Sequence, residues 1–281
     1  MVLIAYWSGW HLISSQGRLI LLAWGLGIAY WIGAGVGAGW SGEDRSPCAI
    51  HYPSDQRIAW HCRRLQRGEG LETIFGPRWI DVARFNRIDR RHAVPGREIK
   101  VPRRLEEVVD FTPLPATYPA GGGDEKLILV DLTEQFLGAY EHGQLRFSFP
   151  IASGGPEDAT PVGEFRISAA HRTHRSCLYT IEHTESPYPM HYALRFHINK
   201  EGVSYWIHGR DLPGFPASHG CIGLADEQMQ VAYYGTPILP ILEDAQTLYD
   251  WAIDGVSDTG RLQLLTNGPR LIIHGRAPAS R

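Results

Sequence analysis

The sequence predicts a mainly β protein whose main domain is a β-sandwich or barrel-like sheet. Its 31 Gly and 19 Pro in 281 residues indicate a turn-rich chain, which argues against a helical bundle. Short strand-like segments separated by turn signals lie at residues 126–131, 144–151, 164–168, 192–198 and 203–208. One helix is expected at residues 225–234, where Asp226 and Glu227 suit a first helical turn.

The amino end predicts export. Residues 19–40 contain no charged side chain, and about 20 apolar residues in a helix cross a bilayer. Arg18 precedes this run and Glu43 and Asp44 follow it, so the amino terminus is expected in the cytoplasm and the remainder outside. We assign residues 1–45 to a cytoplasmic stub and transmembrane anchor. A signal peptide cleaved near the small residues at positions 36–38 is the alternative, although the stretch before the apolar run is long for one.

The distribution of charged residues divides the exported part of the chain into two regions. The whole chain has a formal net charge of -3, which leaves no overall excess to bind nucleic acid. Residues 57–104, however, contain 13 Lys or Arg against 5 Asp or Glu. A basic module is therefore joined to an acidic domain. A solvated face is the simpler interpretation of the basic residues, and contact with anionic wall polymers or lipid headgroups is the other.

The basic module, residues 48–104, shows a βααβ pattern. Leu71, Ile74 and Phe75 form a helical i, i+3, i+4 stripe, and a Pro-bounded extended segment closes the module. The module resembles the LysM family through Gly68-Glu69-Gly70-Leu71, Ile74, Asn86-Arg87-Ile88 and Pro95-Gly96. The resemblance implies binding of glycan strands, but Glu69 and Gly70 depart from the family's usual Asp and Thr or Ser. A βααβ adaptor without glycan affinity is the alternative.

The remaining boundaries follow from composition. Residues 105–123, rich in Pro and ending in three Gly, are expected to be a linker. Residues 124–250 form the main domain, and residues 251–281 a C-terminal extension with a hairpin around Asn267-Gly268. Export makes a disulfide between Cys48 and Cys62 possible.

The strongest chemical signal is a cysteine flanked by two histidines. The two segments concerned are Ile207-His208-Gly209 and Ser218-His219-Gly220-Cys221-Ile222. A thiol attacks as thiolate, and a nearby imidazole can lower its pKa. The sequence therefore predicts a free, low-pKa thiol at Cys221. Gly220 permits close backbone approach, and its N–H together with that of Cys221 is a candidate oxyanion hole.

This motif, with Thr160-Pro161-Val162-Gly163 upstream, resembles the catalytic signature of the L,D-transpeptidase (YkuD) family over residues 126–242. The resemblance implies that Cys221 is the nucleophile, that His208 is its base and that the Gly209 carbonyl orients the imidazole. It also implies that His219, Gly220 and Ser218 shape the oxyanion side. Tyr192 and Trp206 are candidates to line the substrate groove, with core packing as the alternative. Gly223 stands where the family usually has Arg or Asn, which bears on how substrate is held.

The resemblance implies a cysteine acyltransferase of the bacterial cell envelope. Its substrates would be peptidoglycan stem peptides, from which D-Ala is released, and its acceptor an amine of a second stem or of an envelope lipoprotein. The catalytic domain would lie in the periplasm on its inner-membrane anchor, or be secreted. An L,D-carboxypeptidase or other hydrolase and a catalytically idle peptidoglycan-binding protein are the alternatives.

Two further patterns receive structural interpretations. His171, His174 and Cys177 have a spacing that suits zinc, but no fourth ligand lies nearby, so neither metal nor cofactor is expected. Ile273-His274-Gly275-Arg276 repeats Ile207-His208-Gly209-Arg210, but no Cys follows it. We expect it to end the C-terminal hairpin.

Overall fold

Two five-stranded sheets form the main part of the fold in this computed structural model, which describes residues 46–118, 125–181 and 183–279. The first sheet has the order β5-β4-β3-β12-β6 and the second the order β10-β9-β8-β7-β11. Their strands are β3 (Lys126–Asp131), β4 (Phe136–Glu141), β5 (Gln144–Pro150), β6 (Gly163–Arg166), β7 (Ala169–Thr180), β8 (Pro187–Ile198), β9 (Ser204–Arg210), β10 (Ile222–Ala225), β11 (Gln263–Leu264) and β12 (Arg270–His274).

The two sheets share one hydrophobic core. Ile128 and Phe149 from the first sheet pack in the same buried cluster as Leu194 and Ile207 from the second. In β3 the side chains of Ile128 and Val130 point to this interior, whereas those of Leu127 and Leu129 point to the other face, as the alternation of a strand requires. The prediction of a mainly β fold is confirmed.

Two helices follow β10. Helix α3 (Glu227–Tyr234) begins after Asp226, whose buried carboxylate accepts the Met229 N–H and caps the helix. This matches the helix expected from the sequence to within two residues. Helix α4 (Asp244–Ala252) was not expected, and it contributes Leu248 and Tyr249 to the shared core.

The basic module has the predicted βααβ order. It comprises β1 (Trp60–Arg64), α1 (Leu71–Phe75), α2 (Trp79–Asn86) and β2 (Glu98–Pro102), and β1 pairs with β2 in antiparallel register. A disulfide joins Cys48 to Cys62, with the two Cα atoms 5.9 Å apart. It ties the segment before β1 to the strand itself.

The module packs into the main domain through buried charge. Arg87, fully buried, lies 3.2 Å from an oxygen of Glu134, which belongs to the turn between β3 and β4. Its guanidinium also faces the Tyr52 ring at 3.9 Å and the carboxylate of Asp55. Lys100, likewise buried, pairs with the same Asp55 carboxylate. The sequence interpretation of the basic residues as a solvated face is therefore wrong for two of them.

The expected linker is packed over most of its described length. Residues 105–118 place Val108, Phe111 and Leu114 in a cluster on the outer face of β3 and β4. Backbone bonds from Tyr118 to Gly143 and from Leu145 to Ala116 fix the end of this segment. The sequence predicted a linker here but not this packing, which arises because these apolar side chains cover a sheet face that would otherwise meet water. Residues 119–123 lie outside the described part.

The expected C-terminal hairpin does not form. Strand β11 pairs with β7 in one sheet, whereas β12 lies in the other sheet between β3 and β6. The apolar side chains of Leu271 and Ile273 are buried, and they draw β12 into the sheet centre. The segment is an integral part of the sandwich and not an extension.

The predicted membrane segment, residues 19–40, lies outside the described residues. Within residues 46–118, 125–181 and 183–279, no helix is long and apolar enough to cross a bilayer.

Candidate active site

The candidate site lies where β9 and β10 run parallel. Ile207 pairs with Ile222 and His208 with Gly223, so Cys221, one residue before β10, lies beside Trp206. Because residues two apart in a strand share a face, the side chains of Trp206 and His208 point to the same side of the sheet. The Cys221 side chain packs against the cluster that contains Trp206. The structure thus brings Cys221 and His208 to one face of two adjacent strands.

The His208 imidazole is held by its own strand. Its Nδ1 lies 2.8 Å from the carbonyl oxygen of Gly209, and the residue is only 4% exposed. A carbonyl oxygen can only accept, so Nδ1 carries the proton and Nε2 is left as the acceptor. Burial lowers the pKa of His208 to about 3, so the ring is neutral at physiological pH. A neutral imidazole with an unprotonated Nε2 can take up a proton.

Cys221 is a free thiol, as predicted, but it is not a low-pKa one. Burial raises the pKa of Cys221 to about 11, and this outweighs the opposing effects of a backbone hydrogen bond from Trp206 and of the Arg210 charge. No hydrogen bond joins its sulfur to an imidazole among the residues that the structure describes. The resting pair is therefore a neutral thiol and a neutral imidazole, and the low-pKa part of the prediction is wrong.

The turn before Cys221 is closed by Ser218. The Ser218 hydroxyl donates to the carbonyl oxygen of Cys221 and accepts the Gly220 N–H at 3.1 Å. This second bond occupies the N–H that the sequence offered to an oxyanion, so the Gly220 half of that prediction is not supported. Gly220 itself has a φ of +102°, and a Cβ there would lie 2.6 Å from the Tyr205 ring. Only glycine fits this position without strain.

A second loop packs against this turn and forms backbone hydrogen bonds with it. The sequence analysis did not identify this loop. The Ser153 carbonyl accepts the N–H groups of both Ala217 and Ser218. The Gly154 backbone is so close that a Cβ on it would lie 2.9 Å from the Gly220 Cα. The Gly154 N–H in turn donates to the Thr160 hydroxyl at 2.9 Å. Two adjacent glycines after β5 were the available signal, because close backbone approach favours glycine.

The Gln135 side chain holds this loop in place through hydrogen bonds to Ser153. Its side-chain amide donates to the Ser153 hydroxyl at 2.7 Å, and its carbonyl accepts the Ser153 N–H at 3.0 Å. Both residues are fully buried. A buried polar pair that is fully hydrogen-bonded fixes one geometry, so the loop and the turn it holds are rigid.

The two aromatic candidates do not line an open groove. Trp206 is 5% exposed and packs behind the thiol with Met190 and Ala193. Tyr192 instead packs against the shared core and places its hydroxyl 3.2 Å from Gln246 on α4. The tyrosine that packs against the Cys221 cluster is Tyr188. Positive φ at Tyr192, +56°, marks an irregularity in β8 that turns its side chain to the other face.

His219 is exposed and lies beside the long β7–β8 hairpin. Its ring stacks on Tyr179 with centroids 4.3 Å apart. It is close to the thiol in sequence, but no contact with His208 or with the sulfur is present among the described residues. Its role on the oxyanion side stays a prediction.

The histidines considered for zinc lie next to the site. Nδ1 of His171 is 3.2 Å from Nδ1 of His174, and the His174 ring stacks on Trp206. Cys177 is exposed further along the hairpin. Within the described ranges no group of three or more His, Cys, Asp or Glu side chains is arranged to hold a metal ion. His274 is exposed at the end of β12.

The loop after β9 is held by the basic module. Asp211 receives hydrogen bonds from Arg91 at 3.1 Å and from the Tyr188 hydroxyl at 3.1 Å. The neighbouring Leu212 carbonyl accepts the Asp89 N–H, and the Leu212 N–H donates to the Asp89 carboxylate. The module therefore positions the connection between His208 and the Ser218 turn. The sequence could not show this contact, because it joins residues more than 100 positions apart.

Comparison with known families agrees with the motif. Residues 125–259 match the family model of the L,D-transpeptidase catalytic domain, YkuD. The match covers both strands of the candidate site and supports an L,D-transpeptidase catalytic domain in this part of the chain. It does not extend to the βααβ module, whose LysM resemblance stays a prediction. No curated protein matches the chain.

Similar solved structures include three L,D-transpeptidases. One from Mycobacterium smegmatis is 17% identical, with 54% of this chain and 60% of that chain covered and a TM-score of 0.36. L,D-transpeptidase 1 of Mycobacterium tuberculosis is 20% identical, with coverages of 54% and 63% and a TM-score of 0.34. One from Xylanimonas cellulosilytica is 18% identical, with coverages of 69% and 79% and a TM-score of 0.39. This chain thus spans less than two thirds of the mycobacterial chains, and the domain assignment depends on the family match.

Proposed function

We propose that this protein is a peptidoglycan L,D-transpeptidase in which Cys221 is the nucleophile and His208 is its base. The observation that carries the proposal is the arrangement on β9 and β10. A free thiol and a neutral imidazole, fixed through Nδ1 by the Gly209 carbonyl, share one sheet face within the segment that matches the family. A cysteine next to a positioned base is the arrangement needed for acyl transfer.

The raised pKa of the thiol determines how the first half-reaction runs. The Cys221 sulfur attacks the carbonyl of the third stem residue while its proton moves to Nε2 of His208. The carbon–nitrogen bond then breaks, and His208 returns that proton to the departing amine of D-Ala. A thioester on Cys221 remains. Proton transfer thus accompanies attack, because burial disfavours a standing thiolate–imidazolium pair.

The second half-reaction resolves the thioester. An acceptor amine attacks the acyl carbon and loses a proton to His208, and that proton restores the thiol when the carbon–sulfur bond breaks. The acceptor is an amine of a second stem peptide or of an envelope lipoprotein. Water in its place would give the carboxypeptidase reaction, and no reaction at all would leave a binding protein.

The proposed place of work is the cell envelope, outside the cytoplasmic membrane. The disulfide between Cys48 and Cys62 supports this, since disulfides persist in oxidising compartments and are rare in the cytosol. The apolar segment 19–40 would hold the enzyme to the inner membrane. Glycan strands are the proposed ligand of the βααβ module.

Incubation with purified muropeptides followed by mass analysis tests the proposal. We expect a cross-linked dimer with loss of D-Ala from the native protein and unchanged substrate with Cys221→Ala. A trimmed monomer without dimer would support the hydrolase instead. Unchanged substrate with the native protein, in a preparation whose folding is verified by its thermal transition, would contradict both.

A further inference from the structure

The Arg210 side chain crosses a glycine of the neighbouring strand. In the register of β9 and β10, Arg210 pairs with Ala225, and Gly223 pairs with His208. A Cβ on Gly223 would overlap Cδ and Cγ of Arg210 and would lie 3.2 Å from its Nε. The arginine side chain therefore leans back along β10, over Gly223 and toward Cys221. Any larger residue at position 223 would displace it.

The guanidinium of Arg210 is nearly enclosed and only partly paired. Its side chain is 14% exposed, and its Nε donates to the Asp211 carbonyl at 3.0 Å. The nearer Asp211 carboxylate oxygen is 3.9 Å from Nε. No hydrogen bond from the two terminal nitrogens is found among the described residues. A desolvated cation in this state gains from an anion that approaches its free edge.

Asp211 cannot neutralise Arg210 by itself. Its carboxylate already accepts hydrogen bonds from Arg91 and from the Tyr188 hydroxyl, and Nε2 of His92 lies 3.3 Å from it. Its one negative charge is shared by two arginines, Arg91 and Arg210. Asp211 therefore neutralises Arg210 only in part, and the Arg210 side chain starts from the sheet face that carries His208 and Cys221.

We propose that Arg210 is the specificity residue of the site and binds the free carboxylate at the carboxyl end of the acyl-donor peptide. The inference rests on the proposed function. In a donor that loses its last residue, that carboxylate is one residue beyond the bond that breaks, so it is the anionic group held nearest to the reacting carbon. The planar guanidinium suits a carboxylate through two parallel hydrogen bonds. A donor that ends in an amide would lose this contact.

Charge next to the thiol can be measured without assuming any natural reaction. In a Cys177→Ser protein, which removes the exposed free thiol, Cys221 is alkylated with anionic iodoacetate and with neutral iodoacetamide. The quantity compared is the rate with iodoacetate divided by the rate with iodoacetamide. We expect Arg210→Gln to lower this ratio by roughly tenfold, since the electrostatic attraction acts on the anionic reagent alone. Arg210→Lys should keep most of the ratio, and Arg146→Gln, on the exposed face of β5, should leave it unchanged.

Substitutions at position 223 test the geometry itself. Gly223→Ala should displace the arginine and lower the ratio as Arg210→Gln does. The exchanged pair Arg210→Gly with Gly223→Arg should restore it, because the cation then starts from β10 at the same place. If Arg210→Gln slows both reagents equally, Arg210 is a structural residue only and the proposal is overturned.

The donor preference is tested with two tetrapeptides that differ in having a terminal carboxylate or a terminal amide. We expect the native protein to use the peptide with the terminal carboxylate in preference to the peptide amide. Arg210→Gln should raise the KM for the carboxylate peptide more than tenfold and change the KM for the peptide amide by no more than about twofold. Equal use of acid and amide by the native protein would overturn the proposal and leave the transpeptidase function standing. If neither donor acylates Cys221, the proposed function fails, whereas the reagent ratio still decides whether Arg210 is an anion site.

Discussion

The Gly209 carbonyl oxygen, 2.8 Å from Nδ1 of His208, belongs to a residue that has no room for a side chain. A Cβ on Gly209 would lie 2.7 Å from Cβ and 2.9 Å from Cγ of Asp226, which is fully buried. The carboxylate that caps α3 thus sets the position of the backbone that orients the proposed base.

We expect Gly209→Ala to slow acylation of Cys221 by about 10² or more, because it moves the acceptor that fixes the imidazole tautomer. The control is Gly70→Ala, where the nearest atom to the added Cβ is 3.6 Å away and the rate should stay native. Turnover of muropeptide is measured beside the thermal transition. A folded Gly209→Ala protein with native turnover would contradict the orienting role.

The pH dependence of thiol reactivity follows from the raised pKa of Cys221. In the Cys177→Ser protein, alkylation by iodoacetamide should rise about tenfold for each pH unit from 6 to 9 without levelling, because only the thiolate reacts and the pKa of Cys221 is about 11. Mass-resolved alkylation rates at Cys221 provide the measurement. A plateau that begins near pH 7 would show a low-pKa thiol and contradict the effect of burial.

Arg87 joins the module to the main domain, so its loss should destabilise both. Arg87→Met leaves the buried carboxylates of Asp55 and Glu134 without this partner, and we expect the free energy of unfolding to fall by about 3–5 kcal/mol. Denaturant unfolding followed by tryptophan fluorescence measures it. Arg104→Ala, whose side chain is 72% exposed, should change stability by less than about 1 kcal/mol.

A loss below about 1 kcal/mol for Arg87→Met, or two separate unfolding transitions in the native protein, would mean that the module and the sandwich do not fold together.

Glu243 makes stability depend on pH. Burial raises the pKa of Glu243 to about 7, and the nearby Asp226 charge adds to this. A carboxyl whose folded pKa is raised stabilises the fold fully below its unfolded pKa, about 4.5, and loses that contribution as pH rises through 7. Glu243→Gln removes the charge, so its stability relative to the native protein should increase between pH 5 and pH 8.

The difference in the free energy of unfolding between native and Glu243→Gln is measured at both pH values, with the exposed Glu106→Gln as control. A difference that is constant with pH, or that moves the opposite way, would show that Glu243 does not carry a raised pKa.

Local pattern was enough to predict much of the sandwich. The short apolar run at residues 126–131 located β3 at its observed bounds, and Asp226 with Glu227 located α3 to within two residues. Local pattern predicted the wrong partner for β12. The Asn267-Gly268 turn signal indicated a hairpin with the preceding segment, whereas the strand pairs with β3 more than 140 positions away. The packing of segment 105–118 was missed for a similar reason, since its prolines indicate an extended chain but not which surface that chain covers.

The candidate site, like the fold, could be predicted from the sequence only in part. The Ser-His-Gly-Cys spacing pointed to Cys221 and His208, which the structure brings to one face of two adjacent strands, and their catalytic roles stay a prediction. The pKa of the thiol, the side-chain direction of Tyr192 and the reach of Arg210 over Gly223 depend on burial and packing from other elements. No pattern within a window of the sequence contains that information.

The central claim is that Cys221 is acylated with His208 as base, and a carbapenem tests it most directly, because its strained lactam is opened by thiol attack as a peptide carbonyl would be. Intact-mass analysis over time should show one adduct on the native protein, none on Cys221→Ala, one formed about 10² to 10⁴ times more slowly on His208→Ala, and one at near-native rate on His274→Ala. Absence of an adduct on the native protein, or a slow His274→Ala with a fast His208→Ala, would contradict the account.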